Sequence, residues 1–157
     1  MKYNIDILEF FQTGKFDFLQ IGKSKEWILN NFSPPDDWSN VKTLKQATIW
    51  RYGNIELHFD NQELVLIFSD YIEDLDGGKS IVLNKWILDR PKSLTLSNII
   101  KEFNNHNMDF TVIHNNLNYV ELKILKSKVN LTFCIDEDER INANGFSLCA
   151  FSLSSKR

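Results

Sequence analysis

Glycine and proline are scarce in this chain: 157 residues hold 6 of one and 3 of the other. So few excludes collagen-like repeats and flexible linkers. It also leaves little material for loops that cradle phosphate. The glycine patterns of nucleotide-binding and serine-hydrolase folds do not occur. No apolar run approaches the ~18–20 residues of a membrane-spanning helix. A basic excess is missing as well, since Lys plus Arg is 18 against 21 Asp plus Glu, net −3. Phosphate backbones need such an excess, so neither nucleic acid nor a membrane is expected as a partner.

Histidine and cysteine are nearly as rare. His106 and His114 stand eight apart and His58 stands alone, without a close-spaced ligand motif. No metal and no cofactor are expected. Asp70, Glu73, Asp74 and Asp76 precede Gly77-Gly78, which tempts a calcium reading. With Gly77 as the sixth loop position, Ile72 falls at the first and Leu83 at the twelfth, where carboxylates are required. Cys134 and Cys149 lie in apolar, strand-like contexts and read as two small buried thiols. A bond between them needs neighbouring strands. Residues 1–6 hold no apolar signal core and no lipobox-like cysteine, so the cytoplasm is the expected location. No catalytic residue is expected. A carboxylate pair could do acid–base work only through geometry that folding would supply.

What is present is a core. Apolar residues make up 43% of the chain and aromatics 13%. A chain near this length hides roughly 68–70% of its unfolded surface, so residues 1–157 are expected to form one domain. The charge is uneven. Residues 1–80 hold 8 basic and 13 acidic side chains, net −5, and residues 81–157 hold 10 and 8, net +2.

Asn4 is a possible cap for a first helix, with Ile5, Leu8 and Phe11 on one side and Gly14 at its end. Ser24 caps a second over residues 25–32, stopped by Pro34-Pro35. Residues 36–45 read as a loop. The period then changes to two. Residues 47–52 and 55–59 flank Gly53-Asn54, the signature of a type II′ hairpin. That turn sets Tyr52 opposite Ile55, Arg51 opposite Glu56, Trp50 opposite Leu57 and Ile49 opposite His58. A second hairpin turns at Asn61-Gln62 and is expected to place Leu64, Leu66 and Phe68 on the apolar face with Trp50, Tyr52, Ile55, Leu57 and Phe59. A strand follows over 81–88. Thr95 caps a third helix, with Leu94 and Ile99 placed as a hydrophobic staple. Strands are expected at 110–113, 119–125, 129–135 and 145–153.

A shift of 65 residues lays 55–88 on 120–153 without a gap. Glu56/Glu121, Leu57/Leu122, Leu66/Leu131, Phe68/Phe133, Leu83/Leu148 and Leu88/Leu153 are identical. The loops 70–80 and 135–145 then have equal length, and both are acidic. The expected fold is α+β: two tandem α-β-β-β-β repeats, about 19–88 and 91–153, with antiparallel sheet around one shared core and an added N-terminal helix.

The stretch Leu19-Gln20-Ile21-Gly22-Lys23-Ser24-Lys25-Glu26-Trp27-Ile28, followed by Pro34-Pro35, Trp50-Arg51-Tyr52-Gly53 and Leu57-His58-Phe59-Asp60-Asn61, resembles the helix–hairpin pattern of the SmpA/OmlA outer-membrane lipoproteins. The tandem plan is similar to that of the β-lactamase-inhibitory-protein type. It also resembles small bacterial toxin-immunity proteins. The resemblance covers about residues 19–68. It implies a small α/β unit whose sheet surface binds other proteins.

The expected role is therefore a non-enzymatic protein-binding module of the immunity kind, which covers a basic surface of a toxin. The alternatives are a small-molecule site or enzyme with a pocket between the repeats, and a structural subunit. The candidate partner-binding residues are Arg51, Glu56, His58, Val65 and Ile67 on the outer sheet face. Glu73, Asp74 and Asp76 join them on the acidic loop, with Asp136-Glu137-Asp138-Glu139 as its counterpart. Val65 and Ile67 are apolar on that face. Either the N-terminal helix covers them or they meet a partner. Trp27 and Trp38 are further anchor candidates.

Overall fold

The computed structural model describes residues 2–17, 19–90, 93–114, 118–135 and 145–155. Three helices and ten strands occur among them. Eight strands form one antiparallel sheet in the order β2-β3-β4-β5-β10-β9-β8-β7. These are β2 (Asp37–Trp38), β3 (Ile49–Tyr52), β4 (Ile55–Asp60), β5 (Glu63–Ser69), β7 (Phe110–His114), β8 (Tyr119–Ile124), β9 (Asn130–Ile135) and β10 (Phe146–Ser154). The fold is α+β. No helix among the described residues is long and apolar enough to cross a membrane.

The β3–β4 hairpin has the register its turn dictates, with Tyr52 opposite Ile55 and Ile49 opposite His58. Gly53 takes φ +59°. A Cβ there would collide with the Asp76 carbonyl of the loop packed over the turn. The β4–β5 turn uses two left-handed residues, Asn61 (φ 48°) and Gln62 (φ 70°).

The helices follow their caps. α2 (Lys25–Asn31) starts at Ser24, whose side chain accepts from the Trp27 N–H. α3 (Leu96–Asn105) starts at Thr95, whose side chain accepts from the Asn98 N–H. α1 (Ile7–Thr13) corrects the first expected cap. Asp6, not Asn4, accepts from the Leu8 and Glu9 amides, and Gly14 closes the helix at φ +77°. The residues before it, β1 (Tyr3–Asp6), pair in parallel with β6 (Ile81–Asn84) outside the large sheet.

That pairing also corrects the expected strand over 81–88. The chain leaves extended geometry at Lys85 (φ −78°, ψ −13°), passes through Trp86 at φ 52° and makes a 3-10 turn, Trp86–Asp89. The Trp86 ring then stacks on Phe103 at 6.3 Å. β10, from the second half, occupies the place beside β5. The 65-residue overlay thus pairs a sheet strand with a segment outside the sheet.

A bulge supplies the second departure. Between His58 and Phe59 the β4–β5 register shifts, so Leu64 faces Phe59 but Ile67 faces Leu57. One extra residue in β5 turns every later side chain to the opposite face. Ile67 is therefore core, and Leu66 and Phe68 leave it. Leu66/Leu131 and Phe68/Phe133, identical in the overlay, lie on opposite faces, since Leu131 and Phe133 are fully buried.

All three helices cover the same side. Phe10 and Phe11 of α1 meet Phe151 of β10, each at 5.9 Å, and Phe103 of α3 meets Phe110 of β7 at 5.9 Å. Phe32, just after α2, meets Tyr52 of β3 at 5.4 Å. The N-terminal helix therefore does not cover Val65.

Candidate functional site

The uncovered side of the sheet can be read strand by strand. Paired positions run Asp37, Arg51, Glu56, Phe68, Ser152, Asn130, Lys123 and Thr111 across all eight strands. A second row runs Ile49, His58, Leu66 and Ser154. Alternation puts these residues opposite the buried set. Among the described residues no helix or strand lies over them.

Two depressions mark this face. One, about 340 Å³, is lined by Ile49, His58, Val65, Leu66 and Ser154 among others. The other, about 770 Å³, is lined by Ile113, Glu121, Lys123, Asn130, Ser152 and Ser154 among others. Ser154 borders both.

Of the expected site residues, Arg51, Glu56, His58 and Val65 lie here. Ile67 does not; the bulge buries it completely. Arg51 and Glu56 are cross-strand partners, yet their ionic contacts run elsewhere. Arg51 pairs with Asp37 at 3.1 Å. Glu56 Oε1 lies 2.8 Å from His58 Nε2. An ionised carboxylate only accepts, so Nε2 carries the proton. Phe68 meets the His58 ring edge-to-face at 6.4 Å. Leu66 and Phe68 were hidden in the sequence because residues 64–68 are apolar throughout, and a run without alternation cannot reveal a bulge. Trp27 and Trp38 are half-buried against the core rather than free anchors. Trp38 also donates to the Val41 carbonyl.

Glu73, Asp74 and Asp76 stand exposed on the loop 70–80. The loop itself is pinned. Ile72 and Leu75 are buried. Asn54 donates through Nδ2 to the Asp74 carbonyl and accepts at Oδ1 from the Asp76 N–H, 2.7 and 2.8 Å. Asp36 joins this loop to the hairpin, accepting from the Gly53 N–H at 2.8 Å and more weakly from the Lys79 N–H. The carboxylates thus project from a fixed backbone at one end of β3, β4 and β5. The second acidic run, Asp136 to Glu139, lies outside the described residues. Among the described residues no group of three His, Cys, Asp or Glu side chains is placed to hold a metal ion.

The expected pair of separate thiols is also corrected. β9 and β10 are neighbours, the Cα atoms of Cys134 and Cys149 are 5.9 Å apart, and the two form a disulfide.

Two buried titratable groups support this platform from below. Lys25 is almost fully buried. Its ammonium donates to the Lys45 carbonyl at 2.9 Å and lies 5.3 Å from the centre of the Phe59 ring. Burial lowers its pKa below 10.5. The Tyr52 hydroxyl donates to the Ser33 carbonyl at 2.7 Å. Burial first, then the charge of Asp36, raises its pKa well above 10.0. The two act oppositely on stability. The unfolded chain holds the Lys25 proton more tightly, so that contribution grows as pH rises toward 10.5. The folded chain keeps the Tyr52 proton after the unfolded chain loses it, so stability falls above pH 10. Tyr52→Phe is expected to cost about 1 kcal/mol at pH 7 through the lost hydrogen bond. Wild type should then lose roughly 1 kcal/mol relative to the variant between pH 10 and 11. Urea midpoints at the three pH values check this, and a constant difference would refute it.

No family model, no curated protein and no solved structure matches the chain.

Proposed function

We propose that this protein is a non-enzymatic binding module that covers a basic surface of a protein partner, in the manner of an immunity protein neutralising a toxin. The observation that carries the reading is the open sheet face, flanked at one end by a pinned acidic loop. Leu66, Phe68 and Val65 supply apolar contact, and Arg51, Glu56 and His58 supply a polar surround. Glu73, Asp74 and Asp76 supply charge that speeds encounter with a basic partner. A rigid loop loses little entropy when it docks.

Origin by duplication stays part of this reading on a different correspondence from the 65-residue overlay: α2 precedes β2 to β5, and α3 precedes β7 to β10. The two sets lie in mirrored order across the β5–β10 junction. In this reading the site of action is the cytoplasm, and the partner is encoded beside this chain.

The test is co-purification with the product of the adjacent gene, followed by affinity measurement. Combined Glu73→Gln, Asp74→Asn and Asp76→Asn should weaken binding about tenfold, chiefly in the association rate and most at low salt. Phe68→Asp should weaken it through dissociation. Wild-type affinity in both variants would sink the proposal.

A further inference from the structure

Strand β7 ends the large sheet, and among the described residues β8 is its only strand partner. Its register shows which backbone groups are spare. The Leu125 N–H donates to the Asp109 carbonyl at 2.9 Å. In an antiparallel pair bonded positions alternate, so Thr111–Lys123 and Ile113–Glu121 continue that bonded set. Phe110, Val112 and His114 therefore turn their N–H and C=O groups away from β8. Among the described residues no backbone bond reaches them.

Edges of this kind are normally blunted by Lys, Pro, a bulge or short length. The opposite edge, β2, is two residues long and carries an exposed Asp37. β7 has none of these features. Its five residues, Phe-Thr-Val-Ile-His, include no Pro, Gly or formal charge at pH 7, and its register with β8 is unbroken. Thr111, Ile113 and His114 are exposed.

We propose that β7 is a self-association edge, at which a second copy of this chain pairs antiparallel about a two-fold axis through Val112. The strand is self-complementary in that register. Val112 faces its own copy, Thr111 faces Ile113 of the second chain, and Phe110 faces His114. The spare groups of Phe110, Val112 and His114 then bond reciprocally, the isologous arrangement of a two-fold dimer. No like charges meet, and the exposed Ile113 gains a β-branched neighbour. The edge offers no charge with which to select a foreign strand, whereas β7 of another copy matches it at every position. One strand per copy is a small interface, so dimerisation is expected only at roughly micromolar concentrations or above. This inference does not depend on the proposed partner.

The test is sedimentation of the full chain across about two decades of micromolar concentration, together with amide hydrogen exchange. Wild type should shift from one chain to two as concentration rises. The Val112 and His114 amides should gain protection with the dimer, while the Thr111 and Ile113 amides stay protected throughout. Val112→Pro removes an N–H that points away from β8, so the ladder survives while pairing is lost. Ile113→Lys leaves the backbone intact and puts two like charges at the new seam, and it should raise the dissociation constant at least tenfold. A single chain at every concentration overturns the proposal. So does a dimer in which the Val112 and His114 amides stay unprotected, or one that Ile113→Lys leaves unchanged.

Discussion

Phe11→Ala is expected to destabilise the protein by about 3–5 kcal/mol, the range for removing a buried aromatic ring. Phe11 is fully buried, and its ring meets Phe10 and Phe151 at 5.9 Å, Trp86 at 6.3 Å and Phe103 at 6.4 Å. Those neighbours belong to the 3-10 turn, α3 and β10 as well as α1, so one ring ties four elements over the sheet. Close packing on every side leaves little room for the cavity to collapse. In thermal unfolding the loss corresponds to a midpoint lower by roughly 6–20 °C. Tyr71→Ala, at a side chain 59% exposed, is the control and should stay within about 0.5 kcal/mol of wild type. A Phe11→Ala loss below about 1 kcal/mol would mean that α1 does not hold the sheet as described.

That cluster also shows where sequence reading stops. The β3–β4 hairpin was legible because Gly53-Asn54 leaves one register open, and local chemistry decides it. α2 and α3 were legible because Ser24 and Thr95 sit three residues before the amides they accept from. Arg51, Glu56 and His58 reached the open face for the same reason. Ile67 did not, because the bulge lies inside an unbroken apolar run where period two gives no signal. Leu66 and Phe68 were missed by the same slip. Ile5 and Asp6 look like the start of the first helix because Asn4 is as acceptable a cap as Asp6. Only the distant β6, 78 residues away in the Tyr3–Ile81 pair, makes Tyr3–Asp6 a strand. The neighbour of β5 is a long-range choice too. The overlay makes 81–88 the last sheet strand of the first repeat, but the chain turns away at Trp86 and β10 lies beside β5.

Cys149→Ser, or reduction of wild type, is expected to cost about 3 kcal/mol, from the chain entropy regained when a loop near 15 residues opens. Cys134 and Cys149 are 15 positions apart on neighbouring strands. Cys149 occupies the position skipped between Leu148 and Ala150 in the β9–β10 register, so the bond clamps a bulge that the ladder alone holds weakly. The midpoint of thermal unfolding should fall by roughly 6–12 °C, equally for the reduced protein and for the variant. The variant itself should be insensitive to reductant. If reductant leaves the wild-type midpoint in place, the bond contributes nothing. The same pair decides a point on which the proposed function depends. A glutathione-buffered cytoplasm keeps most cysteine pairs as thiols, whereas an oxidising compartment closes them. Alkylation of the protein inside the cells that make it, followed by mass measurement, should find two free thiols if it acts in the cytoplasm. A closed bond there would move the encounter with its partner to an oxidising compartment, where the protein has its full stability.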